Sequence, residues 1–171
     1  MSANRLLYGL CMCVWSSCLH TPSATVPNEV ESVQKQIQKS EPSSSVSVRR
    51  LDNGLRVLSR LRPGVGVVAL QAWVHVGSAD ESEEYEGLAH VHEHMVFKGT
   101  KKFEQGAIDA EVASLGGDIN AWTSFDETVY HLVLPNEATA TGMHLLAELL
   151  QRPRLDADDL RSELEVVAEE I

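Results

Sequence analysis

The chain has no cysteine after position 18. Its three cysteines, Cys11, Cys13 and Cys18, all lie near the N-terminus of a 171-residue sequence. The remaining sequence therefore offers neither a disulfide framework nor a thiolate zinc site. Any metal ion in the folded part must be held by histidine or carboxylate side chains.

Basic residues are also few. Lysine and arginine total 14 against 25 acidic residues, which gives a formal net charge of -11. This balance argues against nucleic acid as a partner, because binding to phosphates needs a basic surface.

No apolar run is long enough to cross a bilayer. The run "LLYGLCMCVW" near the N-terminus has about the length of a signal-peptide core. We interpret residues 1–17 as a signal segment. The following "SSCL" resembles a bacterial lipoprotein signal, in which Cys18 would be lipidated and attach the protein to a membrane, although Trp15 stands where such signals usually carry leucine. An ordinary cleaved secretory signal is the alternative.

Residues 18–45 are polar and have no sustained apolar period, so we expect a disordered linker. The folded part should begin at residue 46. There "VSVRRLDNGLRVLSRL" predicts a hairpin, because "DNG" is a strong turn signal. "VGVVALQAWVHVGSA" predicts a longer strand that is buried on both faces for part of its length.

Two pairs of helices are predicted further along. The segment up to Phe97 and "EQGAIDAEVASLGG" form the first pair. "DINAWTS" and "ETVYHLVLP" then predict two strands, and "EATATGMHLLAELLQ" and "DADDLRSELEVVAEEI" the second pair of helices, the last capped by Asp156. This order predicts an α+β fold with an antiparallel or mixed sheet and helices packed on it.

The segment "GLAHVHEHMVFKGT" carries the strongest chemical signal. On a helix, His90 and His94 share one face and can reach one zinc ion, and Glu93 lies beside that face. Zinc lowers the pKa of a bound water, and a neighbouring carboxylate can take its proton. His92 lies on the opposite side, so we exclude it as a ligand of the same ion. The pattern His-x-x-Glu-His is an inverted zinc motif, although a surface histidine cluster would look similar.

A catalytic zinc needs a third protein ligand. The last predicted helix offers Glu163, Glu165, Glu169 and Glu170, of which Glu163 and Glu170 lie two turns apart on one stripe. A solvated acidic helix face is the alternative interpretation of this run. The residues alone leave these two interpretations open.

Three blocks of sequence resemble one family. "GLAHVHEHMVFKGT", "LGGDINAWTSFDETVYHLVLP" and "ELEVVAEEI" are similar, in this order, to the motif helix, the next strand pair and the third-ligand segment of the inverzincins. These are the pitrilysin/insulinase metallopeptidases, which include the mitochondrial processing peptidase. The resemblance covers roughly residues 46–171.

The resemblance implies a zinc metalloendopeptidase that hydrolyses peptides or unfolded segments. It implies His90, His94 and Glu170 as zinc ligands, Glu93 as the general base and Glu163 as a support for the ligands. Asn120 and Ala121 would lie on an edge strand to which a substrate peptide adds. His75, His131 and His144 have no carboxylate at ligand spacing, and we expect them to be structural or exposed.

The family's domain continues well beyond Ile171, and a second, similar half normally closes its chamber. We therefore expect residues 46–171 to be the incomplete N-terminal half of such a domain, a fragment or a truncated gene product, which alone binds zinc weakly and hydrolyses peptides poorly. The second half would come from the same longer chain or from another subunit. The signal segment implies the bacterial cell envelope as the location. Two alternatives are a non-catalytic, metallopeptidase-like partner subunit and a zinc-binding envelope lipoprotein.

Overall fold

The computed structural model describes residues 8–14 and 45–170. In this part of the chain, six strands form one mixed sheet in the order β2-β3-β1-β4-β6-β5. The strands are β1 Tyr8–Val14, β2 Ser47–Arg50, β3 Arg56–Arg60, β4 Val67–Val74, β5 Asp118–Thr123 and β6 Thr128–Pro135. All neighbouring strands are antiparallel except β1 and β4, which are parallel.

Four helices accompany the sheet: α1 Leu88–Val96, α2 Ala107–Ser114, α3 Thr139–Gln151 and α4 Ala157–Glu170. Three short 3-10 turns, Ser78–Asp80, Glu83–Tyr85 and Asn136–Ala138, complete the regular structure of the described residues. The α+β prediction with a mixed sheet is therefore confirmed. No helix within the described ranges has both the length and the apolar character needed to cross a bilayer.

The hydrophobic core lies between one face of the sheet and the helices. The sheet contributes Leu70, Leu132 and Leu134, which are 0–1% exposed. Helix α3 packs on them so closely that a Cβ added at Gly142 would lie 2.3 Å from Leu134 Cδ1 and 2.9 Å from Leu70 Cδ1. A larger residue would displace these leucine methyl groups, so glycine is favoured where α3 crosses the sheet.

The predicted hairpin is present, with β2 and β3 joined across Asn53 and Gly54. The Leu55 N–H donates to Asn53 Oδ1 at 3.0 Å, and Gly54 has a φ of +89°. The left-handed backbone at Gly54 is the conformation that the "DNG" signal requires.

Strand β4 corrects one expectation. Val68, Leu70 and Ala72 are buried, whereas the alternate residues between them are only half-buried. Among the described residues the helices cover one face of the sheet, so β4 is not buried on both faces. An apolar run shows that burial is favourable, but it does not show which faces are covered.

Strand β1 lies within the segment that the sequence predicts to be a signal. It pairs with β3 on one side and β4 on the other. If the segment is a cleaved signal, it is removed and its place in the sheet is left empty. If it is strand β1, it stays in the mature protein. The signal segment remains a prediction. Residues 18–44 of the predicted linker, including Cys18, lie outside the described residues.

Helices α1 and α4 pack against each other through Val91, Met95 and Val167, which are 3–6% exposed. The backbone of Gly99, just beyond α1, accepts a hydrogen bond from the Arg154 N–H at 2.9 Å. Asp156 Oδ1 then accepts the Asp158 N–H at 2.8 Å at the start of α4, as the predicted cap requires. These contacts bring the two helices that carry the candidate site face to face.

Candidate metal centre

Helix α1 begins at Leu88, directly after its N-cap residue Gly87, which has a φ of +90°. The Glu81 carboxylate accepts hydrogen bonds from the N–H groups of Gly87 at 2.7 Å and Ala89 at 2.6 Å. A negative charge at this end of a helix complements the helix dipole and binds N–H groups that have no partner within the helix. The acidic loop before the motif therefore supplies the carboxylate that caps the start of the motif helix.

The two motif histidines point their rings at one spot. His90 Nε2 and His94 Nε2 lie 3.0 Å apart on the same face of α1. Glu170, in the last turn of α4, places Oε2 at 3.6 Å from each of these nitrogens. All three ligand atoms lie within 4.8 Å of one another.

This spacing suits a zinc ion. Ligand atoms about 2.1 Å from a tetrahedral ion lie roughly 3.4 Å apart, and the three separations here are 3.0, 3.6 and 3.6 Å. Two imidazoles and one carboxylate are also a ligand set of catalytic zinc sites. The three side chains could therefore hold zinc and leave a fourth position open. They are 19–48% exposed, which leaves that position accessible.

Glu163 lies behind the histidines. Its Oε1 is 2.9 Å from His94 Nδ1, and its Oε2 contacts the Lys98 ammonium. Burial alone would raise the pKa of this carboxyl, but the contacts with Lys98 and His94 outweigh burial and lower it below the ordinary value. Glu163 is thus a charged acceptor, and a hydrogen bond from His94 Nδ1–H leaves Nε2 free to face Glu170.

Glu93 lies on the side of α1 that faces β5. The Thr123 hydroxyl donates a short hydrogen bond to Glu93 Oε2. Thr123 Oγ1 is also 3.4 Å from the hydroxyl of Thr128, which donates to the Val76 carbonyl at 3.0 Å. The β5–β6 hairpin thereby fixes the orientation of the Glu93 carboxylate.

Asn120 and Ala121 lie in β5, which pairs with β6 and has no strand on its other side among the described residues. Asn120 is exposed, and its Oδ1 accepts the Ala121 N–H at 2.8 Å. A cavity of about 370 Å³ opens beside this strand and is lined by Asn120, Glu93 and His94 among others. The structure therefore brings the edge strand next to the candidate metal centre.

His92 lies on the other side of α1, as its spacing predicts. It lines a cavity of about 860 Å³ with mostly apolar walls, where partial desolvation lowers the pKa of its ring. The Tyr130 hydroxyl is 3.5 Å from His92 Nδ1, and burial together with the charge of Glu93 raises the pKa of Tyr130. His131 packs on Trp122 with ring centroids 5.3 Å apart.

Sequence reasoning missed Lys98, Thr123 and Glu81, which all contact the motif helix or its partners. Thr123 has a weak signal, since it lies two residues after Ala121 and therefore on the same face of β5. Lys98 has a similar signal, because it lies one helical turn after His94. Glu81 is one of five acidic residues from position 80 to position 86, and the sequence alone does not indicate which of them caps the helix.

Comparison with known proteins agrees with this geometry. A family model described as "Insulinase (Peptidase family M16)" matches residues 56–171. This match covers well over half of the chain, so the protein belongs to the insulinase family of peptidases, M16. The resemblance noted in the sequence is thereby confirmed.

Curated relatives include subunit beta of the mitochondrial-processing peptidase from Blastocladiella emersonii. It is 36% identical over 123 residues, which are 72% of this chain and 26% of that protein. An uncharacterized zinc protease from Rickettsia bellii is 35% identical over 125 residues, or 73% of this chain and 30% of that protein. The chain thus spans less than a third of the length of these relatives.

Solved structures show the same similarity. A protease from Helicobacter pylori superposes with a TM-score of 0.71 and 35% identity, over 74% of this chain and 31% of that one. Pitrilysin gives 0.66 and 34%, over 74% and 14%. The periplasmic protease PqqL from Escherichia coli gives 0.67 and 30%, over 77% and 15%.

Proposed function

We propose that this protein is the zinc-site part of a metalloendopeptidase that hydrolyses bonds in peptides or unfolded segments. The observation that carries the proposal is the convergence of His90 Nε2, His94 Nε2 and Glu170 Oε2 from two helices within 4.8 Å. When bound there, Zn²⁺ supplies Lewis-acid chemistry: it lowers the pKa of water and polarises a carbonyl.

Glu93 acts as the general base. It follows His90 by three residues on α1, so its carboxylate lies beside the proposed ligands and can take the proton of the attacking water. It then gives this proton to the departing amine. The Thr123 hydroxyl holds Glu93 toward the sheet, and Glu163 holds His94 with Nε2 turned toward the ligand cluster.

The substrate adds to β5 as an extra strand. Asn120 and Ala121 lie in this edge strand, beside the cavity lined by Glu93 and His94, and alternate residues of the strand offer their main-chain groups to the added peptide. Binding through the backbone selects extended peptides rather than one particular sequence. A folded protein does not present such a strand, which favours unfolded segments as substrates.

The active enzyme includes a second metallopeptidase half, from the same longer chain or from a separate subunit. The related protein from B. emersonii is named as a subunit of a peptidase, and the match covers 26% of it. The bacterial cell envelope is the proposed location, with membrane attachment through a lipidated Cys18. The neighbouring structure of PqqL is that of a periplasmic protease.

Zinc stoichiometry tests the site. Equilibrium dialysis of the purified chain against buffered zinc should reach one zinc per chain, weakly held because Glu170 is 48% exposed in the last turn of α4. Glu170→Gln should weaken binding by roughly tenfold or more, whereas Glu169→Gln, the matched control, should not. Equal affinity in all three proteins would rule out the proposed ligand set.

Glu93→Gln separates the enzyme from its alternatives. In a metallopeptidase this change removes zinc-dependent peptide hydrolysis, however slow, and leaves zinc binding intact. A zinc-binding lipoprotein without peptidase activity would show no hydrolysis in either protein. A non-catalytic partner subunit would restore activity to a second chain with or without Glu93.

A further inference from the structure

Lys98 lies just beyond the end of α1, four residues after His94. Its ammonium contacts Glu163 Oε2, while Oε1 of the same carboxylate is 2.9 Å from His94 Nδ1. The side chains of Lys98 and Glu163 are 22% and 6% exposed. The side-chain contacts from His94 through Glu163 to Lys98 therefore extend from the candidate metal centre into the interface between α1 and α4.

Glu163 needs Lys98 in order to keep this position. Oε2 of Glu163 is buried, and apart from the ammonium of Lys98 no hydrogen-bond partner reaches it among the described residues. A buried carboxylate oxygen without a partner is strongly unfavourable, because it has lost its hydration and gained no hydrogen bond. Without the lysine, the carboxylate would rotate toward solvent and lose its contact with His94.

Lys98 is itself held in place by its backbone. Its N–H donates to the Met95 carbonyl at 3.1 Å, and its own carbonyl accepts Arg154 Nη2 at 3.0 Å. The next residue, Gly99, has a φ of +109° and accepts the Arg154 N–H. The lysine is thus fixed to α1 on one side and to the segment before α4 on the other.

We propose that Lys98 is a positioning residue that anchors Glu163 so that His94 carries its proton on Nδ1 and presents the Nε2 lone pair to the metal. A charged carboxylate can only accept, so its contact with Nδ1 selects this tautomer. The expected effect on zinc binding rests on the proposed zinc site, but the His94 tautomer is a property of the metal-free chain and can be measured there.

The first readout is therefore the tautomer of His94 in the full, metal-free chain, measured by NMR of nitrogen-15-labelled histidine. The wild type should show Nδ1–H at His94, and Lys98→Met should shift the population toward Nε2–H. Lys98→Arg keeps the charge and should restore the wild-type signals. Lys101→Met removes one exposed positive charge three residues further on and serves as the matched control.

The second readout is zinc affinity. Lys98→Met should weaken binding by roughly 10- to 100-fold, as changes behind a metal ligand do, and Lys98→Arg and Lys101→Met by less than about threefold. If Lys98→Met fails to fold, Lys98→Met combined with Glu163→Gln removes both charges and carries the test. The pair should be non-additive, so that Glu163→Gln alone weakens zinc binding about as much as the double variant.

An unchanged His94 tautomer in Lys98→Met overturns the inference, and so does a clearly larger loss of zinc affinity in the double variant than in Glu163→Gln alone. Additive losses of this kind would mean that the two residues act independently. Failure of the proposed function looks different: the wild type would then bind no zinc, while the tautomer of His94 would still respond to Lys98.

Discussion

Thr123 and Glu93 are thirty residues apart in the chain, and the hydroxyl of the first donates a hydrogen bond to the carboxylate of the second. The bond joins the motif helix to the edge strand. The strand proposed to receive a substrate and the carboxylate proposed to act on it are thereby held in one geometry.

Replacement of Thr123 tests this bond. Thr123→Val keeps the shape of the side chain but leaves the Glu93 carboxylate without its donor. The free energy of unfolding should fall by about 1 kcal/mol, measured by urea denaturation. Thr123→Ser keeps the hydroxyl and should lose less. Zinc affinity should stay within about twofold of wild type in both variants, because Thr123 touches none of the proposed ligands; a large drop would contradict this assignment.

The start of the motif helix depends on Glu81. Its two hydrogen bonds, to Gly87 and Ala89, act as a cap that comes from outside the helix. Glu81→Ala should lower the free energy of unfolding by roughly 0.5–2 kcal/mol, and Glu81→Gln, which keeps the acceptor, should lower it less. Glu84→Ala removes an exposed charge from the same loop and is the control. An equal loss in Glu84→Ala would show that the effect is general to the acidic loop.

The sequence predicts the candidate site better than its surroundings. His90, Glu93 and His94 lie within one helical turn, so a fixed spacing places them together. Glu163 and Glu170 lie on a different helix, and from spacing alone they compete with a solvated acidic face. Lys98 and Glu163 are 65 positions apart, and their contact depends on how α1 packs on α4. No local pattern encodes that packing.

Strand β1 shows the same limit for the fold. An apolar run of seven to ten residues fits both a signal-peptide core and an interior strand, because both require little more than apolar side chains. The uncovered face of β4 is a second example, since a strand's sequence does not state how many helices will cover it.

Acid should weaken the α1–α4 interface through Glu163. Its pKa is lowered in the folded chain, because Lys98 and His94 outweigh the effect of burial. The stability from this carboxylate is therefore complete above its ordinary pKa of 4.5 and is lost as the pH falls through the lower folded value. Unfolding of the metal-free chain, followed from pH 7 to pH 3, should show wild type losing its advantage over Glu163→Gln. A constant difference between the two proteins would contradict this sign.

Addition of a peptide to β5 predicts an alternating sensitivity to backbone methylation. Along an added strand, only every second N–H points at its neighbour, so methyl groups on those nitrogens should block binding and methyl groups on the others should not. Two isomeric peptides, methylated at odd or at even positions, have the same composition and are each other's control. Fluorescence anisotropy with the Glu93→Gln chain, which should not cleave them, would measure both affinities. We expect at least a tenfold difference between the isomers, since two or more main-chain hydrogen bonds are lost in one of them. Equal affinities would mean that the peptide binds through its side chains and that Asn120 and Ala121 do not form the docking edge.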